Sequence, residues 1–109
     1  MDIEEVAHMV IGCAIEVHRH LGPGLLESAY QKCLAYEINK AGLYVQEEIL
    51  LPLRYKEIDL DRAYRIDLII EGKLIVENKT VEALTDVHIA QLLTYLKLTD
   101  NKLGLLINW

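Results

Sequence analysis

A hairpin in the second half of the chain constrains the fold more than any other segment. Residues 64–79 read YRIDLIIEGKLIVENK, in which two runs rich in Ile, Leu and Val flank a glycine-containing break at 71–73. This pattern predicts two antiparallel strands joined by a tight turn. Both faces of the two strands are mostly apolar, which predicts central strands covered on each side by helices.

Charged residues interrupt these apolar runs. Asp67 falls inside the first strand, and Glu77 and Lys79 lie two residues apart in the second, so that strand alternation directs the last two to one face. Buried charge is costly unless it is paired or bound. A three-residue turn would set Asp67 across from Glu77, whereas a two-residue turn would send the two carboxylates to opposite faces. We predict the longer turn, with Gly72 or a neighbour at positive φ, and with it a seat for a divalent cation beside a lysine.

Alternation also assigns the apolar residues of the hairpin to faces. It places Ile69 and Ile75 beside the two carboxylates. The residues predicted on the opposite face are Ile66, Leu68, Ile70, Leu74 and Val76.

The composition sets the class of protein. The 109 residues are 52% hydrophobic and 26% charged, which predicts a single globular domain over 1–109. No apolar stretch approaches the ~20 residues needed to cross a bilayer, and the acidic N-terminus is the reverse of a signal peptide. We therefore expect a soluble, cytoplasmic protein with no membrane partner. Cys13 and Cys33 lie on different predicted helices and form no CxxC pair. We expect them to be buried, reduced thiols, with a disulfide or a metal role as the alternative.

The predicted order of elements is two helices, three strands, a helix and a last strand. The predicted helices cover 2–19, 25–40 and 85–98, with Thr85 or Asp86 as the cap of the third, and the outer strands cover 44–55 and 103–109. Pro52 indicates an edge position or a bulge in the first strand. The polar residues 56–62 are predicted to be a connection.

Several polar side chains on the helices have both a structural and a functional interpretation. Glu27 suits the positive end of the second helix dipole. Tyr30, on the same face, either orients the Glu27 carboxylate or simply packs. His88, Gln91 and Tyr95 form one polar stripe on the third helix, which is either its solvated side or part of a site.

Taken together, the motifs resemble a known family. Residues 24–30, GLLESAY, match the pattern of the GxxExxY proteins, which are assigned to the PD-(D/E)xK nuclease superfamily. Further segments that look like blocks of that family, in the expected order, are 18–24, 64–67, 76–79, Gln91 with Tyr95 and Leu96, and 104–108. The resemblance covers nearly the whole chain. It implies an α/β, restriction-endonuclease-like αβββαβ core with a mixed sheet, helices on both faces and one extra N-terminal helix.

The resemblance also implies a site. The implied ligands of Mg²⁺ or Mn²⁺ are Glu27, Asp67, Glu77 and the carbonyl of Asn78, and this implication favours ligation over the dipole role for Glu27. Lys79 would lie beside the attacking water. Because neighbouring carboxylates favour a protonated amine, we expect Lys79 to act as a cation that positions water and stabilises the transition state, and not as a base.

Further residues are implied at the edge of this site. Gln91 and Tyr95 resemble a helix motif of several nuclease branches, in which such residues contact phosphate or water. The expected substrate contacts are His18, Tyr30, Arg65 and His88. For Arg65, an ion pair with Glu77 is the alternative.

Two functions are compatible with these features. The first is an Mg²⁺-dependent nuclease that hydrolyses phosphodiester bonds of nucleic acid, with DNA as the expected substrate. The second is a catalytically silent nuclease-fold module that acts through a protein partner. The net charge of −6 favours the second, because nucleic acid is held largely through phosphate neutralisation, although bound metal would cancel part of this charge. The apolar last strand would invite pairing with another copy if it lies at a sheet edge, so a homodimer is also expected in that case.

Overall fold

The structure is a computed structural model that describes residues 1–109 and contains three helices and four strands. The elements are α1 (Ile3–Leu21), α2 (Glu27–Lys40), β1 (Val45–Tyr55), β2 (Ile58–Ile70), β3 (Leu74–Lys79), α3 (Asp86–Thr99) and β4 (Leu103–Asn108). This is the predicted αβββαβ order with one extra helix in front, and the fold class is confirmed.

The four strands form one mixed sheet in the order β1-β2-β3-β4. The β1–β2 and β2–β3 pairs are antiparallel, and the β3–β4 pair is parallel. Parallel neighbours need a crossover connection, which α3 provides. The prediction that β2 and β3 are central is therefore confirmed. Pro52 lies in the edge strand β1, where the register shifts between Leu51 and Leu53, so both expectations drawn from this proline are met.

The β2–β3 turn has the predicted length. Ile70 pairs with Leu74, which leaves three residues in the turn. Glu71 and Gly72 have φ values of 55° and 67°, the left-handed backbone that such turns require. The register of this hairpin therefore brings Asp67 to the level of Glu77.

The predicted connection at 56–62 is wrong. β2 begins at Ile58, and only a short turn at Lys56, whose φ is 53°, separates it from β1. Polar side chains do not prevent pairing here because the hydrogen bonds of an antiparallel pair join backbone groups. Cross-strand contacts add support, since Arg54 Nη1 lies 3.3 Å from Asp59 Oδ1 across the pair.

Helices cover both faces of the sheet. On one face, α1 and α2 pack over a core cluster that includes Leu68, Ile70, Leu74 and Val76 of the hairpin. On the other face, α3 packs over a smaller cluster that comprises Ile66, Ile69, Ile75, Leu92 and Tyr95. The two central strands are thus buried between helix layers, as their apolar character predicts.

The position of Ile66 corrects the prediction from strand alternation. Ile66 packs on the α3 face together with Ile69, and not with the residues under α1 and α2. On the neighbouring strand, Glu48 has a left-handed φ of 49°. Glu47 pairs with Leu68 and Ile49 pairs with Ile66, so Glu48 lies across from Asp67. A left-handed residue rotates the chain and breaks the period-2 pattern. In both strands, the side chains on one side of this level therefore point to the opposite face of the sheet from the one that strict alternation predicts.

Asp2 caps α1 by accepting a hydrogen bond from the Glu5 N–H at 2.9 Å, which together with other local hydrogen bonds lowers the pKa of Asp2. Cys13 and Cys33 are free thiols, as predicted, but both are half-buried, so the expectation that they are buried is wrong. None of the helices has the length and apolar character that crossing a bilayer requires.

Candidate functional site

The carboxylates of Asp67 and Glu77 are interlocked with the backbones of the two central strands. The regular strand pairing ends at Leu68 and Val76. At the next level the Asp67 N–H donates to Glu77 Oε2 at 2.8 Å, and the Asn78 N–H donates to Asp67 Oδ2 at 2.9 Å. Both residues are buried, with 8% and 3% exposure for Asp67 and Glu77. Each carboxylate is thus fixed by one oxygen, while its second oxygen makes no hydrogen bond within the chain.

This pair is electrostatically strained. Burial raises the pKa of Glu77 to about 7, and the neighbouring Asp67 carboxylate adds to the rise. The hydrogen bond from the Asp67 N–H and the Lys79 ammonium act in the opposite direction. Two acids that share a buried position favour a bound cation or a retained proton.

Two hydrogen bonds in series connect Lys79, which lies near this pair, to α3. Lys79 Nζ donates to Gln91 Oε1 at 3.3 Å, and Gln91 Nε2 donates to the Tyr95 hydroxyl at 3.0 Å. Tyr95 is buried and stacks on Tyr64 with ring centroids 5.2 Å apart. Burial raises the pKa of Tyr95, and the nearby Glu77 raises it further. Gln91 and Tyr95 of the polar stripe thus connect to Lys79 by hydrogen bonds, and a role for them in a site stays a prediction.

Glu27 lies in the first turn of α2, within electrostatic reach of the carboxylate pair. Burial raises the pKa of Glu27, Asp67 raises it further, and Lys79 and Arg65 lower it. No three Asp, Glu, His or Cys side chains are grouped closely enough to hold a metal ion together. The structure therefore brings together two of the three expected carboxylates, Asp67 and Glu77, and Glu27 is not grouped with them. That Glu27 ligates metal stays a prediction.

The pair fits a divalent cation nonetheless. Mg²⁺ is commonly held by one or two carboxylates and keeps several waters. Asp67 and Glu77 offer hard oxygen donors, and the raised pKa of Glu77 reflects negative charge that a cation would offset.

The comparison with known protein families agrees with this geometry. The family model described as the PD-(D/E)XK nuclease superfamily matches residues 4–109. The chain belongs to this superfamily. No curated protein and no solved structure matches the chain significantly. In the PD-(D/E)XK fold found here, the mixed sheet with helices on both faces carries the Asp67, Glu77 and Lys79 side chains on its central hairpin.

Arg65 borders the PD-(D/E)XK residues but does not pair with Glu77. Its Nη1 lies 4.0 Å from Glu48 Oε1, and both side chains are more than half exposed. The alternative of an ion pair with Glu77 is therefore wrong. Glu77 is buried with Oε2 already bonded, whereas Glu48 is exposed on the neighbouring strand.

Two more of the expected substrate contacts, Tyr30 and His88, have structural partners. The Tyr30 side chain is only 1% exposed, and its hydroxyl donates to the Gly22 carbonyl at 2.5 Å and accepts from the Leu25 N–H at 3.2 Å. Tyr30 therefore fastens the loop before α2, and neither orients the Glu27 carboxylate directly nor presents a surface to substrate. His88 Nδ1 accepts from the Thr85 N–H at 3.0 Å and so caps α3.

His18 lies apart from the carboxylate pair. It is exposed on α1, and its ring centroid is 6.4 Å from that of Trp109, on the side of the sheet covered by α1 and α2. No hydrogen bond or ion pair joins His18 to the residues of the site. A role in substrate contact stays a prediction.

Sequence reasoning missed the structural role of Trp109 behind the site. Its ring stacks on Tyr30 at 4.8 Å and 3°, its Nε1 donates to Asn78 Oδ1 at 3.1 Å, and its backbone N–H donates to the Lys79 carbonyl at 2.9 Å. Asn78 is fully buried, and its Nδ2 has no acceptor in the chain. Trp109 thus ties the end of β3 to the loop that precedes Glu27. No local pattern indicates this, because the contacts join residues far apart in the chain. That the Asn78 carbonyl ligates metal stays a prediction.

Proposed function

We propose that this chain is a nuclease that hydrolyses phosphodiester bonds of DNA with Mg²⁺ or Mn²⁺. The observation that carries the proposal is the interlocked Asp67–Glu77 pair, with Lys79 beside it, in a PD-(D/E)XK fold. We further propose that the chain belongs to the GxxExxY branch, on the match of residues 24–30.

The metal would be held by residues that the fold already fixes. Asp67 and Glu77 would each contribute the oxygen that has no hydrogen bond within the chain, and Glu27 would approach from α2, with the Asn78 carbonyl as a further ligand. The chemistry that the cation supplies when bound is neutralisation of the phosphate and activation of water. Deprotonation of Glu77 would accompany binding, because its pKa is raised to about 7.

The remaining polar groups would position the substrate. Lys79 would stabilise the charge that develops on the phosphate and hold the attacking water. Gln91 would fix Lys79 through the 3.3 Å contact, and Tyr95 would fix Gln91 through the 3.0 Å hydrogen bond. Arg65, exposed at the rim, would bind a neighbouring phosphate after exchanging its long contact with Glu48.

A cleavage assay tests this proposal. Supercoiled plasmid, single-stranded DNA and RNA are each incubated with the protein and Mg²⁺ or Mn²⁺. We expect nicking or degradation of DNA that EDTA abolishes and that Lys79→Ala reduces by at least about 100-fold, the usual effect of removing one transition-state donor. Lys56→Ala, in the exposed β1–β2 turn, serves as the matched control and should retain activity. Intact nucleic acid with every substrate and metal would refute the proposal.

A silent binding module is the second candidate function. The observations that favour it are the net charge of −6 and a rim that carries Glu48 as well as Arg65 and Lys79, so that the rim is mixed and not basic. In that case the protein forms a stable complex with a protein partner and cleaves nothing. Equal cleavage rates for the native chain and Lys79→Ala would also favour this candidate, because they would assign the cleavage to a contaminant.

A further inference from the structure

The outer edge of β4 carries an unpaired row of backbone groups. The Trp109 N–H donates to the Lys79 carbonyl, so the backbone of this residue faces β3. Because N–H and C=O directions alternate along a strand, those of Gly104, Leu106 and Asn108 face away from the sheet. β4 is the last strand of the sheet, and no backbone hydrogen bond outside the helices and strands involves these groups. The other edge, β1, is interrupted by Pro52 and a register shift, whereas β4 has no such protection.

Helix α1 lies alongside this edge and extends over the same length. Ile3, at the start of α1, lines a cleft with Lys102, just before β4, and His18 lies beside Trp109 at the other end. From Ile3 to His18 a helix advances about 22 Å, and from Lys102 to Trp109 a strand advances about 23 Å. The helix and the strand are therefore parallel and of matching length.

An apolar groove separates α1 from the β4 edge. Ile11 and Ile15 line its helical side, and Leu106 and Ile107 line its strand side. Ile11 is 43% and Ile15 52% exposed. Since α2 packs against another side of α1, this groove and the open strand form one continuous exposed face.

Helix α1 carries opposite charges near its two ends, so two copies placed antiparallel are complementary. Glu4 is exposed in the first turn, Arg19 is exposed in the last turn, and the apolar groove lies between them. Neither residue has an ion-pair partner within the chain. Two copies of such a helix placed antiparallel bring the acid of each beside the base of the other.

We propose that this face binds a second copy of the chain, with β4 paired antiparallel to β4 of the partner about a twofold axis at Leu106. In this register Gly104 pairs with the partner's Asn108, and Leu106 pairs with the partner's Leu106, which satisfies every outward N–H and C=O of these three residues. The two sheets become one eight-stranded sheet, and the edge is removed.

The same axis aligns the charges of α1. Leu106 lies about 13 Å along the strand from Lys102, which corresponds to about nine helical residues beyond Ile3. The axis therefore meets α1 next to Ile11, and Glu4 and Arg19 are nearly equidistant from it. Each Glu4 faces the partner's Arg19, and the Ile11 and Ile15 side chains of the two copies cover one another.

Sedimentation equilibrium of the full chain tests this arrangement. We expect a mass twice the 12.5 kDa of the chain. Ile15→Lys should give the monomer mass, because it places charge in the covered groove, whereas Ile58→Lys, at a residue 57% exposed in the far hairpin, should remain dimeric. Both positions are exposed, so circular dichroism should show unchanged folding.

A charge swap tests the register. Glu4→Lys and Arg19→Glu should each raise the dissociation constant about tenfold, since each removes two exposed ion pairs per dimer. The double variant Glu4→Lys/Arg19→Glu should restore the native constant. A monomer mass at every protein concentration up to about 1 mM, which corresponds to a weak dissociation constant, would overturn the proposal. An unchanged dissociation constant in Ile15→Lys, or a double variant weaker than either single one, would also overturn it.

Discussion

Replacing Glu77 by Gln offers the sharpest test of the electrostatics of the carboxylate pair. Glutamine keeps a side-chain oxygen that accepts from the Asp67 N–H but cannot ionise. The folded-state pKa of Glu77 is about 7, against an ordinary value of 4.5. Between pH 4.5 and pH 7, the folded protein therefore keeps a proton on Glu77 that the unfolded chain has lost. Stability from this proton is fully present below pH 4.5 and disappears as the pH rises through 7.

The size of the effect follows from the same difference. Each pH unit between the two pKa values corresponds to about 1.4 kcal/mol, so the native chain loses about 3 kcal/mol at this position between pH 4.5 and pH 8. Glu77→Gln does not titrate and loses nothing there. We therefore expect the free energy of unfolding of the variant, relative to the native chain, to rise by about 3 kcal/mol over this range.

Urea denaturation in EDTA, followed by circular dichroism at a series of pH values and one fixed protein concentration, measures this difference. Glu57→Gln replaces an exposed carboxylate in the β1–β2 turn and should leave the difference close to zero at every pH. A constant offset between Glu77→Gln and the native chain would refute the reasoning. A relative loss of stability in the variant as the pH rises would refute it more strongly, because it would mean that ionised Glu77 stabilises the metal-free fold.

Three further outcomes are expected. Tyr30→Phe should lower the free energy of unfolding by about 1–2 kcal/mol, because two backbone groups of the loop before α2 lose their partner; equal urea midpoints would contradict this. Trp109→Phe should lower the free energy of unfolding by about 1–3 kcal/mol in the same assay, because the buried side chain of Asn78 loses its one hydrogen bond; an unchanged urea midpoint would contradict this. The affinity for Mn²⁺, measured by titration calorimetry, should rise up to about tenfold per pH unit below pH 7 and level off above it, because Glu77 must lose its proton; a flat profile would show that Glu77 is not a ligand.

Local periodicity was sufficient for much of the fold. The hairpin, the length of its turn and the helices were predictable because they depend on neighbouring residues: the apolar spacing, the glycine in the turn, and the cap Thr85 of α3. That Asp67 lies across from Glu77 on the neighbouring strand followed directly from the turn length. The roles of these residues in catalysis stay predictions, since the geometry brings the side chains together without testing what they do.

Long-range contacts account for what the sequence could not reveal. The change of faces at Asp67 depends on a left-handed Glu48 that belongs to the neighbouring strand and carries no glycine or asparagine signal. The support of β3 by Trp109 joins residues 31 positions apart. Such contacts form only when separate elements pack, so periodicity within one element contains no information about them. Amino-acid pattern thus specifies which segments are strands and helices, whereas packing between them sets which side chains meet.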